Sequence, residues 1–106
     1  MLFELRQYQC ISGKRDEFVR FMEETLIPFQ VSQGVVVVGS FTDEEDPDGY
    51  VWIRRFDSPE ERDRIYQAMY ASETWNHQML PAVSEMVHRE RSVVSQLRPT
   101  PKSVIR

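Results

Sequence analysis

Between Tyr50 and Trp75 the chain changes from a strand pattern to a helix pattern with almost no connecting residues. The first part is rich in aromatic and β-branched side chains, which is typical of a β-strand. Ser58 then precedes Pro59 and stands three residues before Glu61. A serine hydroxyl here accepts a backbone N–H, proline suits the first helical position, and the glutamate completes a capping box. The pattern predicts a strand-to-helix junction, followed by an apolar helix stripe of Ile65, Ala68 and Met69.

The residues before this stretch have the same order of strand, helix and strand. Leu2–Cys10 predicts the first strand, and apolar residues at helical spacing predict a helix from about Lys14. Pro28 is expected to kink or restart that helix, because it removes a backbone donor and crowds the preceding turn. Gly34 is expected to end it. The run Val35–Phe41 predicts the second strand, and its lack of alternation predicts burial on both faces.

The remaining segments complete one domain. The acidic run Asp43–Gly49 lacks the spacing of a calcium loop and predicts a solvated hairpin tip. After the Pro59 helix, Ser72 begins a second helical piece that Pro81 interrupts, and Val87–Leu97 predicts the last strand. Residues 1–98 are therefore predicted to form a single domain. Residues 99–106 are predicted to be an extended tail, because their prolines disfavour both helix and sheet.

The element order predicts an α+β fold, namely a ferredoxin-like βαββαβ sandwich with an antiparallel four-stranded sheet. In such a fold the helices cover one face of the sheet. If the other face is in contact with water, apolar and polar residues alternate along each strand. Here Trp52 falls on one face, yet the opposite face carries Val51 and Ile53. An apolar outer face needs a cover, and a second copy of the sheet across a two-fold axis is the simplest one. We therefore expect a homodimer, pairing as a dimeric α/β barrel.

Charge and cysteine content exclude several classes of partner. The formal net charge of -4 argues against nucleic acid, whose phosphates require a basic face. The single cysteine, Cys10, excludes an internal disulfide and is expected to be a buried apolar residue. No apolar run is long enough for a signal peptide or a membrane span, so no membrane partner and a cytoplasmic location are expected.

Short motifs distributed over nearly the whole chain carry a resemblance. They are F-E-L-R-Q-Y at residues 3–8, Gly13–Lys14, V-W-I-R-R-F-D-S-P-E-E-R at residues 51–62, Trp75, and L-R-P-T-P-K-S at residues 97–103. In order and spacing they resemble the NIPSNAP domain family. The resemblance implies the dimeric α/β-barrel group, whose wider relatives include cofactor-free monooxygenases, haem-dependent dismutases and small-molecule isomerases. NIPSNAP domains have no settled reaction, and their animal members are tied to mitochondria and protein interactions, so the resemblance implies fold and assembly more than activity.

One set of residues is predicted to line a ligand-binding cleft between sheet and helices. Its members lie on one face of the first strand, on one face of the central strand, or at the cleft mouth: Glu4, Arg6 and Tyr8; Trp52 and Arg54; Trp75 and His77. Together they would form an aromatic-walled pocket with a cation for an anionic or enolic oxygen. The alternative is structural. Glu4 would then pair with Arg6 or Arg54 in the dimer seam, and Trp52 would belong to the core.

No cofactor is predicted. Glu73 and His77 are four residues apart on a helix, and His88 and Glu90 are two apart on a strand. Each pair therefore shares a face and suits a divalent metal, although exposed pairs of this kind are more often solvated. A role for His88 as a haem ligand rests on analogy with distant relatives alone, since no haem motif is present.

Two functions are consistent with these patterns. The first is binding of a small aromatic or enolic molecule in the cleft, with monooxygenase- or isomerase-like conversion as its enzymatic form. The second is a non-catalytic homodimeric protein-interaction module, in which the same residues build the seam. An open cavity of ligand size would favour the first function, and a cleft packed solid by side chains would favour the second.

Overall fold

A computed structural model describes residues 1–106. The strands are β1 (Leu2–Gln9), β2 (Val36–Thr42), β3 (Gly49–Phe56) and β4 (Val93–Leu97). The α-helices are α1 (Arg15–Phe21), α2 (Ile27–Ser32), α3 (Pro59–Tyr70) and α4 (Leu80–Met86). A π-helical turn at Met22–Leu26 joins α1 to α2, a second at Thr74–Met79 leads into α4, and a 3₁₀ turn spans Arg89–Arg91. None of the helices combines the length and the apolar character needed to cross a lipid bilayer.

The strands form one antiparallel sheet in the order β2-β3-β1-β4. In the pairing of β1 with β3, Glu4 stands opposite Arg54, and Arg6 stands opposite Trp52. The even-numbered residues of these two strands point towards the helices, and we call this side the inner face. The predicted α+β fold with a four-stranded antiparallel sheet of the ferredoxin-like type is confirmed.

The hydrophobic core lies between the inner face and the helices. Phe18, Met22 and Met69 have no exposed surface, and Cys10 is buried as a free thiol, as predicted. A smaller group packs where α3 crosses the sheet and consists of Val35, Phe56, Ile65 and Met69. The apolar stripe predicted for α3 therefore contributes Ile65 and Met69 to the core.

Pro28 and Pro81 each lie within a helix, and neither of them ends it. A π-helical turn ends two residues before each of them, so that Ile27 N–H donates to the Met22 carbonyl and Leu80 N–H donates to the Trp75 carbonyl. The wider turn absorbs the missing donors of Pro28 and Pro81, and the helix continues into α2 and α4. The predicted restart at Pro28 is therefore realised as a π-helical turn rather than as a break.

Two strand predictions need correction. The last strand begins at Val93 rather than Val87, because the chain between them makes a single bridge from Val87 to Cys10 and then a 3₁₀ turn. The valine-rich strand was predicted to be buried on both faces, but β2 lies at the sheet edge with a bulge at Val38. Its position in the sheet, which local sequence does not encode, leaves Phe41 52% exposed.

No helix covers the odd-numbered side of the central strands, and we call this side the outer sheet face. Its apolar residues include exposed side chains at 44–52% relative accessibility. Its one charged residue in the central strands is Arg55, which pairs with Asp57 at 3.6 Å. The apolar members are Phe3, Leu5, Val36, Phe41, Val51, Ile53, Val93 and Leu97.

The predicted cap of α3 is confirmed. Ser58 has an extended backbone, and its Oγ accepts the backbone N–H of Glu61 at 3.1 Å. Gly34 also behaves as predicted after α2: its φ of +102° is a conformation that favours glycine, and its N–H donates to the Val31 carbonyl.

Replacing Ser58 with alanine is expected to lower the free energy of unfolding by about 1 kcal/mol, because an N–H at the start of α3 loses its acceptor. Urea denaturation followed by circular dichroism measures this change. Ser58→Asp retains an acceptor and should match the wild type. Equal midpoints for Ser58→Ala and the wild type would show that the cap does not stabilise the fold.

Candidate functional site

The carboxylate of Glu4 is buried at the centre of the inner face, where three strands and α3 meet. Its Oε1 accepts from Arg6 Nε at 2.6 Å, from Tyr66 Oη at 2.7 Å and from Arg54 Nη2. Its Oε2 accepts from Gln96 Nε2 at 2.8 Å. These hydrogen bonds replace the water around the carboxylate. Each of them therefore reduces the free-energy cost of burying its charge.

The guanidinium of Arg54 is enclosed completely and connects Glu4 to the helices. Its Nη1 donates to Gln30 Oε1 at 2.7 Å and to Tyr70 Oη at 3.2 Å. Its central carbon lies 4.9 Å from the ring centres of both Trp52 and Tyr66. Hydrogen bonds and two aromatic faces thus replace part of the water that this cation loses on folding, and its Nε has no acceptor in the protein.

Glu4 is ionised at neutral pH. Burial by itself would raise its pKa, but the charges of Arg54 and Arg6 and the hydrogen bonds from Arg54 and Gln96 together lower the pKa to about 2. Burial also raises the pKa of Tyr66, so that its hydroxyl remains a neutral donor to the carboxylate. We call Glu4, Arg6 and Arg54 the buried ion cluster.

A cavity of about 430 Å³ lies beside this cluster, between the inner face and the helices. Nine of its 13 lining residues are hydrophobic, which is the usual composition of a small-molecule site of this size. Its aromatic walls include Tyr8, Trp52, Tyr70 and Trp75, and its polar groups also include Arg6, Gln30, Arg89 and Ser92.

Both π-helical turns contribute to the cavity. The first turn supplies Met22 and Leu26, and the second supplies Trp75, whose ring packs edge-on against Tyr70 at 4.9 Å. A π-helical turn shifts the direction in which later side chains leave the helix. The two turns therefore direct apolar side chains towards one enclosed space.

The structure brings together most of the predicted site residues. Arg6, Tyr8, Trp52 and Trp75 line the cavity. Glu4 and Arg54 are not lining residues. They lie behind the wall, where Glu4 holds the Arg6 guanidinium. The alternative prediction of an ion pair between Glu4 and Arg6 or Arg54 describes a real contact, but it is on the inner face rather than in a seam on the outer sheet face.

His77 is not brought to the cavity, because its side chain lies exposed on the second π-helical turn.

Sequence reasoning did not identify Tyr70, Gln30, Arg89 or Ser92 as cavity residues. For Tyr70 a signal existed, since it stands four residues after Tyr66 beside the apolar stripe of α3. For Arg89 and Ser92 none did, because a 3₁₀ turn occupies a segment whose pattern predicted a strand.

Neither candidate metal pair gathers further ligands. His88 Nδ1 lies 3.6 Å from Glu90 Oε1, and no group of three or more His, Cys, Asp or Glu residues is placed to hold a metal ion. Glu73 and His77 likewise belong to no such group. The expectation that the protein needs no cofactor stays a prediction.

The chain is similar to several known proteins. The sequence model of the NIPSNAP family matches residues 3–103. Among proteins of curated function, none matches. A NIPSNAP family protein of unknown function from Agrobacterium tumefaciens has the same fold with 24% identity over 100% of this chain and 94% of that chain (TM-score 0.89). An uncharacterized NIPSNAP domain protein from Burkholderia xenovorans is similar with 22% identity over 97% and 98% (TM-score 0.82). An antibiotic biosynthesis monooxygenase shares the fold with 18% identity over 95% and 100% (TM-score 0.69).

Replacing Glu4 with glutamine is expected to lower the free energy of unfolding by about 3–5 kcal/mol, because the buried Arg54 guanidinium and the partly buried Arg6 guanidinium lose their only carboxylate partner. The stability that Glu4 contributes should decrease at low pH. The folded-state pKa of Glu4 is lowered from 4.5 to about 2, so its contribution is complete above pH 4.5 and is lost as the pH falls towards 2.

Chemical denaturation at several pH values between 7 and 2 measures both effects. The wild type should lose about 3 kcal/mol more than Glu4→Gln over the acid range. Glu17→Gln is the control, because that carboxylate is exposed and its pair with Lys14 at 3.4 Å contributes little. Parallel acid curves for the wild type and Glu4→Gln would contradict the assignment.

Proposed function

The chain belongs to the NIPSNAP family, and we propose that it binds a small aromatic or enolic molecule in the cavity between the sheet and the helices. The observation that carries the proposal is the cavity itself, which has about 430 Å³ of space and a mostly apolar lining with a few polar groups. A cleft packed solid by side chains would have favoured an interaction module instead. Cavities of this size and composition usually hold small organic ligands.

The shape and chemistry of the walls support a flat ligand with at least one oxygen. Tyr70 and Trp75 form one aromatic wall, and Trp52 forms part of another. Aromatic walls of this kind favour planar ligands through stacked and edge-on contacts. Arg6 and the hydroxyl of Tyr8 offer donors to an anionic or enolic oxygen. Conversion of such a molecule by monooxygenase-like or isomerase-like chemistry is the enzymatic form of this proposal.

Val83 offers a direct test because it lies on α4, lines the cavity and is 8% exposed. Val83→Phe should fill ligand space and abolish binding, with folding retained. Val83→Ala should enlarge the cavity, cost roughly 1–3 kcal/mol of stability and leave binding in place. Thermal shift against a panel of small aromatic and quinone-like acids measures both, since a ligand that binds the native state raises the melting temperature.

If a compound stabilises Val83→Phe and the wild type equally strongly, that compound binds outside this cavity. Failure of the whole panel to stabilise the wild type would favour the second candidate function.

We propose as that second function a homodimeric interaction module, in which the outer sheet faces of two chains pack together. The supporting observation is an apolar face that no helix covers, with Phe41 and Val93 both 52% exposed. Apolar patches of this kind usually mark protein interfaces. An identical chain suits the patch well, because a two-fold axis places the same apolar patch on both sides of the contact. Dimerisation is also compatible with ligand binding, since the cavity opens on the other side of the sheet.

Phe41→Glu is expected to convert the dimer to a monomer, because it places a charge within the apolar outer sheet face. Sedimentation equilibrium measures the mass, which should fall from twice 12.6 kDa to 12.6 kDa. Val31→Glu is a matched control, since Val31 is also 52% exposed but lies on α2, away from the outer sheet face. A monomeric wild type, or a dimeric Phe41→Glu, would exclude this interface.

A further inference from the structure

The buried ion cluster contains two guanidinium groups and one carboxylate, which leaves one positive charge without a counterion. Glu4 is the only carboxylate paired with Arg6, and it is also the only one paired with Arg54. The other hydrogen-bond partners of Arg54 are the hydroxyl groups of Tyr66 and Tyr70 and the side-chain amide of Gln30, and none of them is a carboxylate. An unmatched charge inside a protein is costly, so its retention requires an explanation.

The excess charge reaches the cavity through Arg6. The Arg54 side chain is 0% exposed, whereas the Arg6 side chain is 20% exposed and lines the cavity. Arg89 is a second cation at the cavity and takes part in no ion pair. No aspartate or glutamate is a lining residue. The cavity is therefore positively charged on its polar side and apolar elsewhere.

The hydrogen bonds of Arg6 leave three of its five N–H donors without a protein acceptor, one on Nη1 and two on Nη2. Its Nε donates to Glu4, its Nη1 donates to Tyr8 Oη at 3.2 Å, and its Nη2 donates to no protein atom. A guanidinium has five N–H donors, and the edge formed by Nη1 and Nη2 matches the two oxygens of a carboxylate. Trp52, which is 1% exposed and also lines the cavity, has an indole N–H with no acceptor in the protein.

We propose that the ligand of this cavity is a monocarboxylate with a flat apolar body, and that its carboxylate pairs with the Nη1–Nη2 edge of Arg6. This inference rests on the proposed small-molecule function and names the ligand class of the same cavity. The bound carboxylate supplies the missing negative charge, so that the cluster becomes neutral. The apolar body then lies against the aromatic walls of Trp52, Tyr70 and Trp75.

A structural role and a binding role for Arg6 predict opposite stabilities. Arg6→Gln leaves Glu4 with donors from Arg54, Tyr66 and Gln96, and it leaves one anion beside one cation. It also removes the repulsion that Arg54 experiences from a second guanidinium. If the role of Arg6 is to bind the ligand, the melting temperature of unliganded Arg6→Gln is equal to or above that of the wild type. If its role is to stabilise the fold, the melting temperature of Arg6→Gln is below that of the wild type.

Calorimetric titration with matched acids and amides tests the ligand class. The probes are 1-naphthoate with 1-naphthamide and phenylacetate with phenylacetamide, since each pair differs in charge and hardly in shape. We expect the wild type to bind the better acid about 10- to 100-fold more tightly than its amide, because a charge-assisted bidentate contact is lost in the amide. Arg6→Gln should lose this preference. Arg20→Gln, an exposed change of equal net charge on α1, should retain it.

The outcomes separate this inference from the proposed function. If amides bind the wild type as tightly as acids, or if Arg6→Gln keeps the preference with its stability reduced, the carboxylate assignment is overturned while cavity binding stands. If no acid or amide binds the wild type, and no compound of the broader panel does so, both proposals fail together. The acid–amide comparison uses the wild type alone, so it remains decisive even if the variant does not fold.

Discussion

A buried carboxylate with two guanidinium partners is the constraint on which the arrangement of this protein depends. Glu4 on β1 receives hydrogen bonds from β3, β4 and α3, and Arg54 extends the same network to Gln30 and Tyr70. Removing Glu4 would leave the buried Arg54 guanidinium without its only carboxylate partner. The strands and helices are therefore held in a single relative position by groups whose geometry permits little variation, whereas apolar packing alone tolerates more.

The same network defines one side of the cavity. Because Arg54 is surrounded by aromatic rings and amide oxygen, its charge is confined behind the wall, while Arg6 carries charge to the cavity surface. The two π-helical turns build the opposite side. Each accommodates a proline without ending its helix, and each directs large apolar side chains inward. The π-helical turns and the excess positive charge of the buried ion cluster therefore lie around the same cavity. Irregular helices and local departures from ideal packing are common at functional sites.

The two faces of the sheet have separate physical roles. The inner face carries the buried ion cluster and is covered by helices, whereas the outer sheet face is mainly apolar and no helix covers it. Because side chains alternate along a strand, neighbouring residues such as Val51 and Trp52 belong to different environments. One strand can therefore contribute to the inner cavity and to the outer sheet face, and a shift of register by one residue would exchange the two.

The sequence by itself determined the features that depend on neighbouring residues. Ser58, Pro59 and Glu61 specified where α3 begins, the alternation along β3 assigned Trp52 and Val51 to opposite faces, and the element order implied the fold. Only the tertiary structure decided that Arg54 lies behind the cavity wall, that His77 lies outside it and that Arg89 reaches it. The reason is the range of the forces. Caps and side-chain alternation act within one turn or a few residues, whereas the bond from Tyr66 to Glu4 joins residues 62 positions apart and exists only once the sheet and helices have packed.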